Sequence, residues 1–150
     1  MSLELQEQYD RIYQYCYYRL GDAYLAEDVT QETFLRFLES DSYQDTWRPL
    51  AYLYTVAKHL CIDETRKKKT EPLPEDLPEM DKEEAQIDSI MLREALKHLE
   101  EREREMIFLR YVNEVPMADM AALYGKSRYA LYREIRKTLK KLERRMSGEQ

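Results

Sequence analysis

The chain has 150 residues, of which 36% are charged, and a formal net charge of −6, so it forms one ordinary domain or two very small ones. Its three glycines, at positions 21, 125 and 148, are far apart in the sequence. Glycine-rich nucleotide-binding turns, phosphate-binding loops and tight β-hairpins need glycines close together, so these classes are excluded. No apolar run approaches the roughly 18 residues that a membrane-spanning helix requires.

Charge and proline divide the chain into three parts. The segment 70–88 holds eight acidic side chains, one basic side chain and three of the five prolines, which predicts an acidic linker with little to bury. We therefore expect an all-α protein with a first module at 1–69, this linker at 70–88 and a second module at 89–150. Each module is small enough for its core to be marginal.

The first module is predicted to be a bundle of three to four helices. Apolar residues recur at intervals of three and four over 5–20, and Gly21 is a typical residue to end that helix. A second helix is predicted over 23–39, and a third begins near Pro49, a favoured residue in a first turn. Four successive cations at 66–69 exceed what a helix C-terminus needs and favour contact with phosphates.

The second predicted helix carries two faces. One is an apolar stripe that faces the core. The other is a polar patch with a single leucine, for which solvated surface is the ordinary interpretation. Its members are Asp28, Gln31, Glu32 and Leu35.

The second module is predicted to contain four helices, over 90–100, 102–112, 117–123 and 127–146. The last two, joined by a turn at Gly125, form a short helix, a glycine turn and a long basic helix, which is the pattern of a helix-turn-helix. The segment 126–145 has nine basic and two acidic side chains, as expected of a helix that binds nucleic acid. A plain helical hairpin with a solvated, charged face is the alternative.

In a helix-turn-helix the N-terminal part of the second helix enters the major groove. The residues then expected at base edges are Ser127, Arg128, Tyr129, Tyr132 and Arg133. The cations expected to follow phosphates are Arg136, Lys137, Lys140 and Lys141.

The two cysteines, Cys16 and Cys61, lie within apolar patterns and are predicted to be buried thiols of a reducing, cytoplasmic compartment. A zinc site would need both of them to converge with His59 and His98. His59 and Cys61 are two residues apart and so lie on different faces of a helix. We therefore predict no metal and no cofactor.

Three segments carry a resemblance to a known family. They are DAYLAEDVTQETFLRFLE, WRPLAYLYTVAKHLCIDETRKKK and EREREMIFLRYVNEVPMADMAALYGKSRYALYREIRKTLKKLE. They resemble, in order, the polymerase-binding segment, the following promoter-facing segment and the C-terminal helix-turn-helix domain of bacterial RNA polymerase sigma factors of the extracytoplasmic-function (ECF) group. The matches cover nearly the whole chain.

The resemblance implies a dissociable initiation subunit rather than an enzyme, with no small-molecule substrate. Its partners would be core RNA polymerase, through the clamp helices and the flap, and promoter DNA. Members of this group are usually held by an anti-sigma factor, often membrane-anchored. The chain would then be cytoplasmic, nucleoid-associated in holoenzyme and held at the membrane by such an inhibitor.

The resemblance also assigns residues by position. The polymerase-binding motif matches Asp28, Gln31, Glu32 and Leu35. The loop that captures a flipped base of the minus-ten element matches 40–48, where Tyr43 and Trp47 could stack on it, although Trp47 is equally suited to anchor the core. The promoter-facing helix matches Lys58, His59, Asp63, Arg66 and Lys67. The helix from 127 would read the minus-thirty-five element.

The chain departs from the family pattern at three places. His59 stands where the family has asparagine, and Tyr129-Ala130-Leu131 replaces a usual Gly-Thr-Val step. Glu134 occupies a position that is usually basic. These departures bear on which promoter sequence the chain prefers.

Two other classes compete with a sigma factor. A dimeric helix-turn-helix repressor needs a dimer interface and a two-fold operator, and the sequence shows no heptad seam. A helical adaptor with no role in DNA binding is the other alternative. An enzyme is the weakest, because no nucleophile–base pair, carboxylate pair or metal set occurs at a readable spacing.

Overall fold

The computed structural model describes residues 3–40, 48–68 and 87–148. Within these ranges all regular structure is helical, which confirms the predicted all-α class. The chain separates into two compact units, Met1–Leu77 and Pro78–Gln150. The domain boundaries expected at 69/70 and 88/89 stay a prediction, because 69–86 lie outside the described residues.

The first unit contains α1 (Leu3–Leu20), α2 (Ala23–Glu39) and α3 (Pro49–Lys68). Gly21 ends α1 with a φ of +67°, a conformation that glycine adopts without strain. Asp22 then caps α2, because its carboxylate accepts hydrogen bonds from the backbone N–H groups of Tyr24 (2.9 Å) and Leu25 (3.1 Å). These two residues turn the chain sharply and set where α2 begins.

Aromatic side chains join the three helices of this unit in pairs. The ring centroids are 5.3 Å apart in Tyr9–Phe34, 5.4 Å apart in Tyr15–Tyr54 and 5.9 Å apart in Phe37–Tyr52. Around them the core is filled by smaller side chains, which include Ile12, Cys16, Ala26, Leu53, Ala57 and Cys61. Both cysteines are buried thiols that form no disulfide, as the sequence predicted.

The second unit contains α4 (Ile87–Lys97), α5 (Glu101–Ile107), α6 (Met117–Tyr124) and α7 (Arg128–Met146). The sequence predicted one α-helix over 102–112. The chain is helical there, but its last part, Phe108–Val112, widens into a π-helix in which the Asn113 N–H donates to the Phe108 carbonyl over 3.0 Å. The first helix of this unit lies three residues earlier than the predicted 90–100.

Two caps define the turn between α6 and α7. Gly125 has a φ of +64°, and the Lys126 N–H donates back to the Ala121 carbonyl over 3.0 Å, which ends α6 in a Schellman motif. Ser127 begins α7, since its hydroxyl accepts a hydrogen bond from the Ala130 N–H over 3.1 Å. The chain therefore forms the helix, tight turn and second helix that the sequence predicted.

Candidate protein-binding and nucleic-acid-binding surfaces

The outer face of α2 presents the four residues of the predicted polymerase-binding motif. Asp28, Gln31 and Glu32 are exposed, and Leu35 exposes 52% of its surface. The buried residues of the helix, which include Ala26, Val29, Thr30, Thr33 and Phe34, lie on another face. The four motif residues are therefore brought together on one exposed face, here called the α2 surface.

The α2 surface extends further than the motif. Tyr24 exposes 87% of its surface and Leu38 exposes 63%. With Asp28, Gln31 and Leu35 they recur at intervals of four, three, four and three, which is one face of a helix. Sequence reasoning missed these two residues because an apolar side chain at helical spacing is ordinarily assigned to a core.

A hydrogen-bond network centred on Glu27 joins α2 to α1 beside this surface. The Glu27 carboxylate accepts from the Tyr9 hydroxyl of α1 over 2.5 Å and from the Gln31 side-chain amide over 3.1 Å. Burial and the hydrogen bond to Glu27 raise the pKa of Tyr9 to about 12. The same bond from Tyr9, followed by that from Gln31, lowers the pKa of Glu27. The network therefore favours a neutral tyrosine and a charged carboxylate and fixes the side chain of Gln31.

Residues of the predicted promoter-facing helix lie along α3. His59, Asp63 and Arg66 are exposed and recur at intervals of four and three, which places them on one face. Lys58 is half-buried, and the exposed Lys67 forms an ion pair of 3.6 Å with Glu64 of the same helix. Tyr43 and Trp47 lie outside the described residues, so their predicted stacking on a base stays a prediction.

The exposed face of α7 forms a basic groove, here called the α7 groove. Its lining consists of Tyr129, Tyr132, Arg133, Arg136, Lys137 and Lys140. The four cations are exposed, and the two tyrosines expose 70% and 51% of their surfaces. These six residues are all among the predicted DNA contacts. Of the other three, Arg128 is exposed, Ser127 uses its hydroxyl to cap α7, and Lys141 forms an ion pair with Glu103 of α5.

Glu134, the acid at a usually basic position, forms ion pairs with two cations of the same unit. Its carboxylate lies 3.1 Å from Nε of Arg102 on α5 and 2.8 Å from Nζ of Lys126 in the turn. Burial alone would raise the pKa of Glu134, but the hydrogen bonds and charges of Lys126 and Arg102 outweigh it and lower the pKa. This acid therefore fastens α5 and the turn to α7.

A second ion pair acts alongside it. Nζ of Lys141 on α7 lies 3.0 Å from the carboxylate of Glu103 on α5. Burial again opposes the charge of Glu103, and the hydrogen bonds from the Glu100 backbone and Lys141 lower its pKa overall. Thus two ion pairs, Arg102–Glu134 and Glu103–Lys141, join α5 to α7, the helix that carries the α7 groove.

In the part of the chain that the structure describes, no group of three or more His, Cys, Asp and Glu side chains is arranged to hold a metal ion. None of the described helices is both long enough and apolar enough to span a membrane.

Two helical units, the second of which contains a helix-turn-helix with a basic groove, define a DNA-binding protein of the transcription-factor class. The family model for Sigma-70 region 2 matches residues 5–71, and the model for Sigma-70 region 4 matches residues 89–142. The chain is 34% identical over 149 residues to the ECF RNA polymerase sigma factor SigL of Mycobacterium tuberculosis, with 87% of this chain and 84% of SigL covered. It belongs to the ECF group of the sigma-70 family, whose members are transcription-initiation factors and not enzymes. The family predicted from the sequence motifs is confirmed.

Two further relatives are longer than this chain. The chain is 32% identical over 151 residues to the ECF RNA polymerase sigma factor BldN of Streptomyces coelicolor, with 88% of this chain covered. It is 44% identical over 61 residues to the ECF RNA polymerase sigma factor SigW of Bacillus subtilis, which covers 40% of this chain. These matches span 56% of BldN and 33% of SigW.

A solved structure of a sigma factor has the same fold. The sigma factor RpoE of Bartonella quintana, crystallised in complex with the anti-sigma factor NepR, matches with a TM-score of 0.70 at 19% sequence identity. The match covers 98% of this chain and 96% of that one. At this level of identity the likeness shows a common fold.

Proposed function

We propose that this chain is a dissociable initiation subunit that binds core RNA polymerase through the α2 surface and promoter DNA through α3 and the α7 groove. The observation that carries the proposal is the presence of two exposed surfaces of different chemistry on the two units of one sigma-family chain. The first is acidic and apolar, and the second is basic and aromatic. The first suits a protein partner, and the second suits nucleic acid.

The α2 surface has the anatomy of a protein-binding site. Leu35 and Leu38 are apolar and exposed, and they lie beside the polar side chains of Asp28, Gln31 and Glu32. An apolar centre within a polar rim is the common arrangement of protein interfaces, because the rim excludes water from the centre. The partner that fits the family motif is the pair of clamp helices of core polymerase.

The α7 groove is suited to the minus-thirty-five element. Cations of its lining such as Lys137 and Lys140 supply the phosphate contacts that dominate affinity for DNA, and its N-terminal residues, which include Arg133, lie where a recognition helix meets base edges. The exposed face of α3 that contains His59, Asp63 and Arg66 would contact the minus-ten side, together with Lys58 and Lys67. The second unit would also contact the polymerase flap.

The net charge of the chain lowers its affinity for DNA in the absence of core polymerase. The net charge of −6 opposes the electrostatic attraction of the basic segment at 126–145. Promoter binding is therefore expected to be weak for the isolated chain at physiological salt and tight once core polymerase supplies further basic surface. The comparison is made by titrating promoter DNA with the chain alone and with reconstituted holoenzyme. Tight, sequence-specific binding by the isolated chain would contradict this expectation.

An anti-sigma factor is the proposed inhibitory partner. The crystallised relative RpoE is bound to such a protein, NepR, which supports an equivalent partner for a chain of the same fold. The chain would act in the cytoplasm, associate with the nucleoid as part of holoenzyme and be held at the membrane when its inhibitor is membrane-anchored.

The polymerase-binding assignment is tested by Asp28→Ala combined with Gln31→Ala. The double variant should bind core polymerase about tenfold or more weakly, because the few residues at the centre of an interface that dominate binding cost over about 1 kcal/mol each when truncated. Its unfolding transition should be unchanged, since both side chains are exposed. Affinity is measured by titrating labelled core polymerase, and unfolding is measured by circular dichroism.

The matched control makes the same two chemical changes on α1. Gln6 and Asp10 are exposed and hydrogen-bonded to each other at 3.3 Å, so Gln6→Ala combined with Asp10→Ala should leave polymerase affinity unchanged. Unchanged affinity for core polymerase in the α2 double variant would contradict the assignment of the α2 surface as the polymerase-binding site.

The DNA-binding assignment is tested by Arg133→Ala in holoenzyme. A base-edge arginine contributes about 1–3 kcal/mol, so selection of the preferred promoter over variants should fall about 5- to 150-fold while polymerase binding is kept. Arg145→Ala, an exposed arginine in the last turn of α7, is the control. A loss that is uniform across DNA sequences would instead assign Arg133 to a phosphate.

A further inference from the structure

Two arginines of the α7 groove lie over exposed tyrosine rings of the same helix. Cζ of Arg133 is 5.0 Å from the ring centroid of Tyr129, and Cζ of Arg136 is 5.7 Å from that of Tyr132. Both distances lie within the range of a cation–π contact, which extends to about 6 Å. In each pair the arginine follows the tyrosine by four residues, the spacing at which helical side chains meet.

The exposure of the two rings shows that they contribute little to the core. Tyr129 exposes 70% of its surface and Tyr132 exposes 51%, whereas Leu131 and Ile135 of the same helix are buried. Two large aromatic rings kept in water on a DNA-facing surface need a role outside the core. The contacts described for the two rings are with the guanidinium groups of Arg133 and Arg136.

We infer that Tyr129 and Tyr132 are positioning residues that hold the guanidinium groups of Arg133 and Arg136 in place for reading base edges. Arg136, expected from the sequence to follow a phosphate, is thereby assigned to a base edge instead. The inference rests on the proposed DNA-binding function of the α7 groove. Arginine recognises a base edge through two parallel N–H donors, so the orientation of its plane matters. A guanidinium that is already stacked loses less rotamer freedom when it binds.

The two stacked pairs are spaced to act on different base pairs. Arg133 and Arg136 are three residues apart, which corresponds to a rise of about 4.5 Å along the helix. That rise is comparable to the spacing of about 3.4 Å between successive bases of one DNA strand. Each tyrosine should therefore control selectivity at the base pair that its own arginine reads.

The test uses holoenzyme formed from the full chain and core polymerase, and a promoter library that is randomised in the minus-thirty-five element. Tyr129→Leu keeps the apolar bulk but removes the ring, and Tyr129→Phe keeps the ring. The leucine variant should lose about twofold to fivefold of the selectivity at the base pair read by Arg133, as expected for an exposed cation–π contact. The phenylalanine variant should keep it. Tyr132→Leu and Tyr132→Phe should repeat the pattern at the base pair read by Arg136.

Two controls separate positioning from a structural or direct role. Tyr111→Leu changes a tyrosine of the same unit that exposes 53% of its surface and lies outside α7, so base selectivity should stay the same. The dependence of affinity on salt should also be unchanged in Tyr129→Leu, because no phosphate contact is removed.

A double-mutant cycle is the decisive measurement. If Tyr129 acts only through Arg133, then Tyr129→Leu has no further effect on selectivity in an Arg133→Ala chain. An equal loss in the presence and absence of Arg133 would overturn the inference and make Tyr129 itself a DNA contact, and so would a Phe variant that behaves like the Leu variant. Failure of the unmodified chain to bind core polymerase or to select any promoter would instead overturn the proposed function.

Discussion

The two units of this chain hold their helices together in different ways. In the first unit, aromatic rings pack between α1, α2 and α3, and the Glu27 carboxylate of α2 accepts a hydrogen bond from the Tyr9 hydroxyl of α1. In the second unit, partly exposed ion pairs join α5 and the turn to α7 in addition to an apolar core that includes Leu109, Leu131 and Ile135. Two helical modules of similar size can therefore respond differently to salt and pH.

The difference follows from the kinds of side chain that lie between the helices of each unit. Apolar burial stabilises in proportion to the area removed from water and is little affected by moderate salt. Partly exposed ion pairs are worth less and are screened by salt. The helix that carries the α7 groove is nevertheless fastened by such pairs, because much of its own surface is cationic. Three substitutions with successively smaller expected effects test whether the two units differ in this way.

Leu53→Ala should have the largest effect. Leu53 is fully buried in the first unit, and truncation of a buried leucine to alanine costs about 2–5 kcal/mol. The loss should be the same at low and high salt. Chemical denaturation followed by tyrosine fluorescence measures it, with Leu38→Ala as the matched control because Leu38 is 63% exposed on α2. A cost below about 1 kcal/mol would show that the apolar core does not dominate the first unit.

Tyr9→Phe should have an intermediate effect. The variant keeps the ring against Phe34 but loses the hydrogen bond to Glu27, which corresponds to about 0.5–1.5 kcal/mol at neutral pH. The pKa of Tyr9 is raised from 10.0 to about 12 in the folded chain, so this contribution is complete below pH 10 and is lost as the pH rises towards 12.

The measurement is the difference in unfolding free energy between Tyr9→Phe and the unmodified chain, taken across the alkaline range. Because the other tyrosines titrate in both chains, their contributions cancel in the difference. A difference that stays constant from pH 9 to pH 12 would contradict the role of the Tyr9 hydroxyl.

Glu134→Gln should have the smallest effect, and it should depend on conditions. Surface ion pairs are worth about 0.2–1 kcal/mol, so the second unit should be destabilised by that amount at low salt and hardly at all in 1 M NaCl. The pKa of Glu134 is lowered from 4.5 in the folded chain, so its contribution is present above that pH and disappears as the pH falls.

Glu143→Gln is the matched control, since Glu143 is exposed on the same helix. Hydrogen exchange of α7 amides reports on the second unit alone. Equal protection of α7 in the two glutamine variants at low salt would mean that the Arg102–Glu134–Lys126 cluster does not hold the helix.

Much of the fold could be predicted from local signals. Gly21 followed by Asp22 marks the end of α1 and the start of α2, and the predicted 23–39 coincides with α2. Gly125 and Ser127 mark the turn of the helix-turn-helix in the same way. These signals are readable because capping and a left-handed glycine depend on residues close in sequence.

Other features depend on contacts that a sequence does not show. The widening at Phe108–Val112 has no sequence signal, because an α-helix and a π-helix share the same apolar spacing over one turn. Glu105 lies among the charged residues that begin the predicted helix over 102–112, yet it is buried and accepts a hydrogen bond from the Tyr124 hydroxyl over 2.5 Å. The tyrosine–arginine stacks on α7 likewise become visible only with side-chain positions.

The clustering of Arg102, Lys126 and Glu134 has an evolutionary consequence. A basic residue at 134, as is usual in the family, would bring three like charges together at the place where one carboxylate now lies 3.1 Å from Arg102 and 2.8 Å from Lys126. Like charges at such a distance repel, so a change at any one of the three positions alters the selection on the other two. In related chains these positions should vary as a set, and an acid at 134 should be inherited together with cations at 102 and 126.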